Sequence, residues 1–230
     1  MADVKRPWRK RSTKESSRPK IHLEQLMKDP KRKDYRETVI RGYLKDSIDC
    51  LNGMLKNDVG KIEKIVSELV KTYYEGKQVI TMGNGGSAAI ASHMASDFSK
   101  AWLGDGVMRM RSFSLVDNIS LMTAWMNDAG YDQMFVGPLK TILNEGDVVI
   151  GISSSGNSKN ILKAIAYANK KKALTIGLTG FDGGKLKDLA QINITVTSDS
   201  FKRVEDIHSL IGHTLKAAFV NEIKRDKTDK

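Results

Sequence analysis

Apolar residues along the chain follow two different patterns. Over residues 36–74 they recur at three- and four-residue spacing. The first set is Val39, Ile40, Tyr43, Leu44, Ile48, Leu51, Met54 and Leu55; the second is Val59, Ile62, Ile65, Val66, Leu69, Val70, Tyr73 and Tyr74. That period predicts two amphipathic helices. From residue 78 onward, short continuous apolar runs alternate with helical stretches. The runs predict strands over Gln78–Met82, Ser112–Val116, Asp147–Ile152, Ala173–Leu178 and Ile192–Val196, with a long closing helix over Arg203–Ile223. Buried runs separated by helices imply the α/β class, a parallel five-stranded sheet flanked by helices. Ligands of such sheets bind beyond the carboxyl ends of the strands.

The residues able to do chemistry fall at those ends. Gly83-Asn84-Gly85-Gly86-Ser87 follows the first strand. Its glycines allow a sharp turn and close approach to a ligand. Ser87 is expected to cap the next helix, whose free N–H groups favour an anion. His93 and Asp97 are four residues apart and share a face of that helix. Asp117 and Asn118 follow the second strand, and Ser153-Ser154-Ser155-Gly156-Asn157-Ser158 follows the third. Hydroxyl and backbone N–H groups at a strand-to-helix junction suit a phosphate, although a plain turn with a serine cap has the same composition.

The closing helix carries Glu205, His208 and His213. Of the four histidines, only His22 lies outside these segments. His93, Asp97, Glu205 and His213 make a nitrogen and oxygen donor set suited to zinc or another divalent ion; each alone reads equally well as a structural residue. Glu205 and His213 are eight residues apart, about 12 Å of helical rise. Sharing one ion requires that the helix begin near Glu205 or that two subunits supply the ligands.

Charge changes the picture at the N-terminus. The net charge is +11 over 230 residues. Residues 1–35 hold twelve Lys and Arg against five Asp and Glu, a net of +7, which leaves +4 for the rest. Three of the four prolines also lie there. A segment so charged cannot bury enough apolar surface to offset its ordering entropy. A basic disordered arm is therefore expected over 1–35, and one folded domain over 36–230. A solvated tail is the plain reading. Contact with nucleic acid is the alternative, with Trp8 among Arg6, Arg9, Lys10 and Arg11 placed to stack on a base. A single cysteine, Cys50, excludes an intrachain disulfide and fits a reducing compartment. No stretch is apolar and long enough to span a bilayer, so a soluble, cytoplasmic protein is expected.

Four motifs in order carry a resemblance. They are Gly83–Ser87 with His93, Asn127-Asp128-Ala129-Gly130-Tyr131, Ser153–Ser158, and Gly177-Leu178-Thr179-Gly180-Phe181-Asp182-Gly183-Gly184-Lys185-Leu186, completed by the helix of His208 and His213. From about Arg36 to Lys224 the chain resembles a sugar-isomerase (SIS) domain of the phosphoheptose isomerase type. The resemblance implies a flavodoxin-like three-layer sandwich assembled as a homotetramer, with the two N-terminal helices packing between subunits. It implies isomerisation of a phosphorylated sugar, D-sedoheptulose 7-phosphate to D-glycero-D-manno-heptose 7-phosphate, on the route to nucleotide-activated heptose. It places the phosphate on Ser153, Ser154, Ser155 and Ser158, and the sugar on Asn84, Gly85, Gly86 and Asp117, with Glu205 beside them. It places zinc on His93, Asp97, Glu205 and His213. Within that resemblance the family typically has Glu where this chain has Asp97, and Gln where it has Glu205.

An aldose–ketose exchange moves a proton between adjacent carbons through an enediol. Asp97 is the candidate base, and His213, titratable near neutral pH, the candidate group for the neighbouring oxygen. Two other readings compete. Gly83–Ala88 fits a loose dinucleotide fingerprint, but its acidic partner, Asp117, lies more than thirty residues on rather than about twenty. Some SIS domains sense phosphosugars or act in replication-initiator complexes without known catalysis; His93 and His213 favour an enzyme.

Overall fold

The computed structural model describes residues 27–101 and 108–228. The described residues divide into two compact units, one ending at Leu44 and the other beginning at Lys45. The arm expected over 1–35 lies outside the described residues as far as residue 26. Helix α1 opens at Pro30 (Pro30–Asn57), where Asp29 accepts from the Lys31 N–H at 3.0 Å. A carboxylate cap followed by proline at the first helical position is a strong start signal, so the helix begins six residues before Arg36.

In the second unit, α2 (Val59–Tyr74) leads to β1 (Gln78–Gly83) and α3 (Gly86–Ser99). Then come β2 (Arg111–Ser114), α4 (Ile119–Ala129), a 3-10 turn (Tyr131–Gln133), α5 (Val136–Ile142) and β3 (Val148–Ser153). The chain closes with α6 (Lys159–Lys170), β4 (Leu174–Gly180), α7 (Gly184–Leu189), β5 (Ile192–Val196) and α8 (Phe201–Thr228). All five expected strands form, in one sheet of order β2-β1-β3-β4-β5 with every pair parallel. β2 ends at Ser114 because the chain turns there, the Asp117 N–H donating back to the Ser114 carbonyl at 3.3 Å. Asp147 lies just outside β3: its buried carboxylate accepts from the backbone N–H groups of Gln78 (3.2 Å) and Asn144 (2.8 Å), clamping two strand entrances together.

Both faces of the sheet are covered, which is why the strands read as continuous apolar runs. Val79, Ile150, Ile152, Ile176 and Leu178 face a core shared with Leu69 of α2, Phe98 of α3, and Ile211, Leu215 and Phe219 of α8. Ile80, Met82 and Val149 face the other core, with Leu139 of α5, Ile161 and Ile165 of α6, and Leu186 of α7. Gly151 of β3 lets Ile161 and Ile165 press onto the strand, where any side chain would crowd them.

One buried histidine joins the sheet to α8. His208 is fully buried, and its Nε2 donates to the Thr179 carbonyl at 2.9 Å, at the end of β4. Its Nδ1 has no partner among the described residues. Burial pushes the imidazole down from 6.5 to about 4, so the ring is neutral in the folded protein. The unfolded chain binds this proton near 6.5, so the stability is full above that pH and lost as pH falls toward 4. The loss is about 3 kcal/mol. His208→Gln keeps a donor but gains no charge. Urea unfolding at pH 7 and pH 4.5 should show a smaller acid loss in the variant than in the parent; an equal loss would mean the ring does not titrate with folding.

Candidate active site at the strand ends

The strand order reverses between β1 and β3, and there two turns meet. Gly83 pairs with Ile152 in the parallel register, so both strands end at the same level. The turn after β1 passes through Gly85, at φ +55, and α3 starts at Gly86. Ser87 is therefore inside the first turn and makes no capping bond, contrary to expectation. Gly85 is the cap, a position with a left-handed backbone that a side chain would strain.

Ser153 to Ser158 forms a tight loop at the start of α6. Ser153 Oγ donates to Ser158 Oγ at 3.1 Å, and the Gly156 N–H donates to the Ser153 carbonyl at 2.8 Å. Ser153 and Ser154 are buried, and the Ser154 hydroxyl has no partner among the described residues. Residues 180–186 buttress the loop from behind. The Gly180 N–H donates to the Ser154 carbonyl at 2.8 Å and the Leu186 N–H to the Gly156 carbonyl at 2.9 Å. A Cβ on Gly156 would overlap the Gly183 carbonyl, and one on Gly184 the Ser155 carbonyl. The glycine pair is thus a packing requirement of the serine loop.

A cavity of about 270 Å³ opens between the two turns. Asn84, Gly85 and Gly86 line one side, Ser153, Ser154, Ser155 and Ser158 the other, and Glu205 stands at the rim. The Glu205 carboxylate sits against Gly86, where a Cβ would collide with it. A carboxylate at the first residue of α3 occupies the end of the helix that favours negative charge. The free N–H groups of α6 and the serine hydroxyls remain for a second anion. A neighbouring cavity of about 470 Å³ shares Asn84 and Gly85 and includes Ser92, Asp117 and Tyr131, with Met122 and Met126 below. Asp117 accepts from the Ser92 hydroxyl at 2.5 Å, which ties the end of β2 to α3.

His93 and Asp97 of α3 meet His213 of α8 further along the same helix pair. Asp97 Oδ2 is 3.8 Å from His93 Nε2 and 3.7 Å from His213 Nε2, and the two rings stand edge to face with centroids 5.0 Å apart. One donor atom from each of the three residues lies within 4.8 Å of the others. The carboxylate is mostly covered and the imidazoles are half exposed, so the cluster is open to ligands on one side. Two imidazoles and a carboxylate within this distance are a donor set that could hold a metal ion. Glu205 is not in this cluster. α8 begins at Phe201, so Glu205 is already on a regular turn, about 12 Å of rise before His213. The option of a helix start near Glu205 falls away. Within one chain Glu205 belongs to the serine cavity, and the cluster has three residues.

Sequence reasoning missed Tyr131 and Asn160. Tyr131 Oη and Asn160 Nδ2 both donate to Asn84 Oδ1, at 2.9 and 2.8 Å. Asn160 was hidden as a polar position at the start of an amphipathic helix. Tyr131 ends the Asn127–Tyr131 motif, whose pattern by itself assigns the phenol no role.

Comparison with known proteins fits this architecture. The SIS domain family pattern matches residues 42–180. Phosphoheptose isomerase 2 of Campylobacter jejuni is 38% identical over 186 residues, 80% of this chain and 92% of that protein. The phosphoheptose isomerase of Aneurinibacillus thermoaerophilus is 35% identical over 190 residues, 82% and 96% of the two chains. A solved phosphoheptose isomerase from Francisella tularensis superposes with a TM-score of 0.77 at 27% identity, covering 81% of this chain and 98% of its own. On these matches, and on a parallel sheet whose glycine turn and serine loop meet at the strand reversal, the chain belongs to the SIS domain family, alongside the phosphoheptose isomerases.

Proposed function

We propose that the protein is an aldose–ketose isomerase that converts D-sedoheptulose 7-phosphate to D-glycero-D-manno-heptose 7-phosphate, supplying nucleotide-activated heptose synthesis in the cytoplasm. The observation that carries the reading is the pairing of a serine-lined anion cavity with the His93, Asp97 and His213 cluster, both on α3 and its neighbours. The names of the relatives support the heptose substrate.

The serine loop holds the phosphate. Ser155 and Ser158 donate to its oxygens, Ser153 joins them by turning its one hydroxyl hydrogen from Ser158 to the phosphate, and the buried Ser154 hydroxyl supplies a donor that has no protein partner among the described residues. Asn84, Gly85, Gly86 and Asp117 hold the sugar chain, and Glu205 orients it at the rim. Asp97 removes the proton from the hydroxymethyl carbon of the ketose, and the electron pair moves to form the enediol. It then returns the proton to the adjacent carbon, giving the aldose. His213 moves the accompanying proton between the two oxygens. A divalent ion held by His93, Asp97 and His213, zinc by its donor set, would polarise the carbonyl and offset the enediolate charge.

The assembly is a homotetramer. Tyr35, Val39, Ile40 and Leu44 are exposed apolar residues on α1 in the first unit, and Ile48, Leu55 and Val59 in the second. Such surface on a monomer favours burial between subunits. Sharing sites across subunits would also bring a second chain's Glu205 or cavity to the His/Asp cluster.

Three outcomes are expected. Ser153→Ala with Ser155→Ala should raise KM for the phosphosugar roughly ten-fold or more, since each hydroxyl donates to a charged group; unchanged KM in the folded double variant removes the phosphate assignment. Asp97→Asn should lower kcat by about 10²–10⁴, and His93→Ala and His213→Ala should lower metal content and rate together; full turnover in Asp97→Asn or in metal-free protein excludes the respective role. Sedimentation at micromolar concentration should give four times the chain mass of 25.6 kDa; a fully active monomer overturns the assembly.

A further inference from the structure

The Asn84 side chain is held in one orientation by a chain of donors that starts in the backbone. Ile161 is the third residue of α6, so its N–H has no partner within the helix. It donates to Asn160 Oδ1 at 2.9 Å. A backbone N–H can only donate, so the oxygen of the Asn160 amide must face it. Its Nδ2 then points the other way, donating to Asn84 Oδ1 at 2.8 Å and touching Met134 Sδ at 3.4 Å. Asn84 answers with one Nδ2 hydrogen to Asn160 Oδ1 at 3.0 Å. Tyr131 Oη lies 2.9 Å from Asn84 Oδ1 and donates to it.

The inventory then closes. Both lone pairs of Asn84 Oδ1 are filled, one by Asn160 and one by Tyr131. One Nδ2 hydrogen is used, and the other has no acceptor among the described residues. Asn160 is fully buried and lines neither cavity, whereas Asn84 lines both. The Tyr131 turn is anchored to the same helix, with Asp132 paired to Lys163 of α6. That lysine holds the Asp132 carboxyl below its ordinary value.

We propose that Tyr131 is a positioning residue that sets the hydrogen-bond polarity of Asn84. With its oxygen occupied twice, Asn84 faces the ligand as a donor only. It selects a substrate oxygen that carries no proton at that point, a phosphate, carbonyl or enediolate oxygen, over a hydroxyl that must donate. The inference rests on the proposed isomerase reading for its substrate, while the lock itself is a property of the protein alone.

The test is a double-mutant cycle with Tyr131→Phe and Asn84→Ala, read first as turnover of the phosphoketose. Tyr131→Phe should lower kcat/KM about three- to ten-fold in the parent, in keeping with one neutral hydrogen bond. In the Asn84→Ala background it should change kcat/KM less than two-fold, because the group it positions is gone. Equal losses in both backgrounds would mean Tyr131 touches substrate on its own and would overturn the proposal, as would no loss in either. Absence of turnover in the parent enzyme counts against the isomerase reading, not against the lock. The lock is then read from the Asn84 side-chain amide in ¹H–¹⁵N spectra with inorganic phosphate as the probe. Phosphate should shift one of its two protons and leave the other, and Tyr131→Phe should shift the pair without ligand. Two protons responding alike, or neither responding, would refute it.

Discussion

The parallel pairing of β1 with β3 is the constraint on which the rest of the site depends. It sets Gly83 opposite Ile152, so that two chain reversals leave the sheet side by side. One is the glycine turn into α3 and the other the serine loop into α6. Two helix N-termini therefore converge where the strand order reverses, the position at which doubly wound sheets bind ligands. β4 and β5 extend the sheet beyond β3 and bring residues 180–186 behind the serine loop. The loop can be compact only because Gly156 and Gly184 permit backbone to lie on backbone. Moving the β1–β3 register by one residue would separate the turns and exchange the side chains that the strand sends to the two cores.

The converging helix ends also sort the charges. α3 presents its N-terminus to the Glu205 carboxylate, a group of the protein itself. α6 presents its own to the serine hydroxyls and the cavity. An external anion thus has one end open to it and one already answered. Glu205 also places negative charge beside any bound phosphate, a repulsion that falls once the carboxylate is neutralised or hydrogen-bonded to substrate hydroxyls. A glutamate here gives the rim a charge that a glutamine of almost the same size would not.

Most of the fold could be read from apolar spacing, because burial on both faces of a parallel sheet leaves an unbroken apolar signature. His93 and Asp97 were equally legible, since residues four apart on a helix meet by geometry alone. What failed was of another kind. Ser87 reads as a cap on composition alone, whereas Gly85 takes that place through a backbone angle that only the folded turn reveals. Asn160 and Tyr131 reach Asn84 across 76 and 47 positions. No local period encodes such a contact, and an asparagine near a helix start has a sufficient local explanation. The Gly183–Gly184 pair was legible as a motif, but its role required seeing what it packs against.

In the proposed chemistry, Asp97 is asked both to ligate and to carry a proton, and one lone pair cannot do both at once. The geometry offers a division of labour. Both imidazole approaches, from His93 and from His213, are to Oδ2. Oδ1 takes part in neither of these contacts. A carboxylate that would hold a metal ion through one oxygen would keep the other for a carbon-bound proton. An aspartate is one methylene shorter than a glutamate, so its carboxylate stands closer to the backbone of α3.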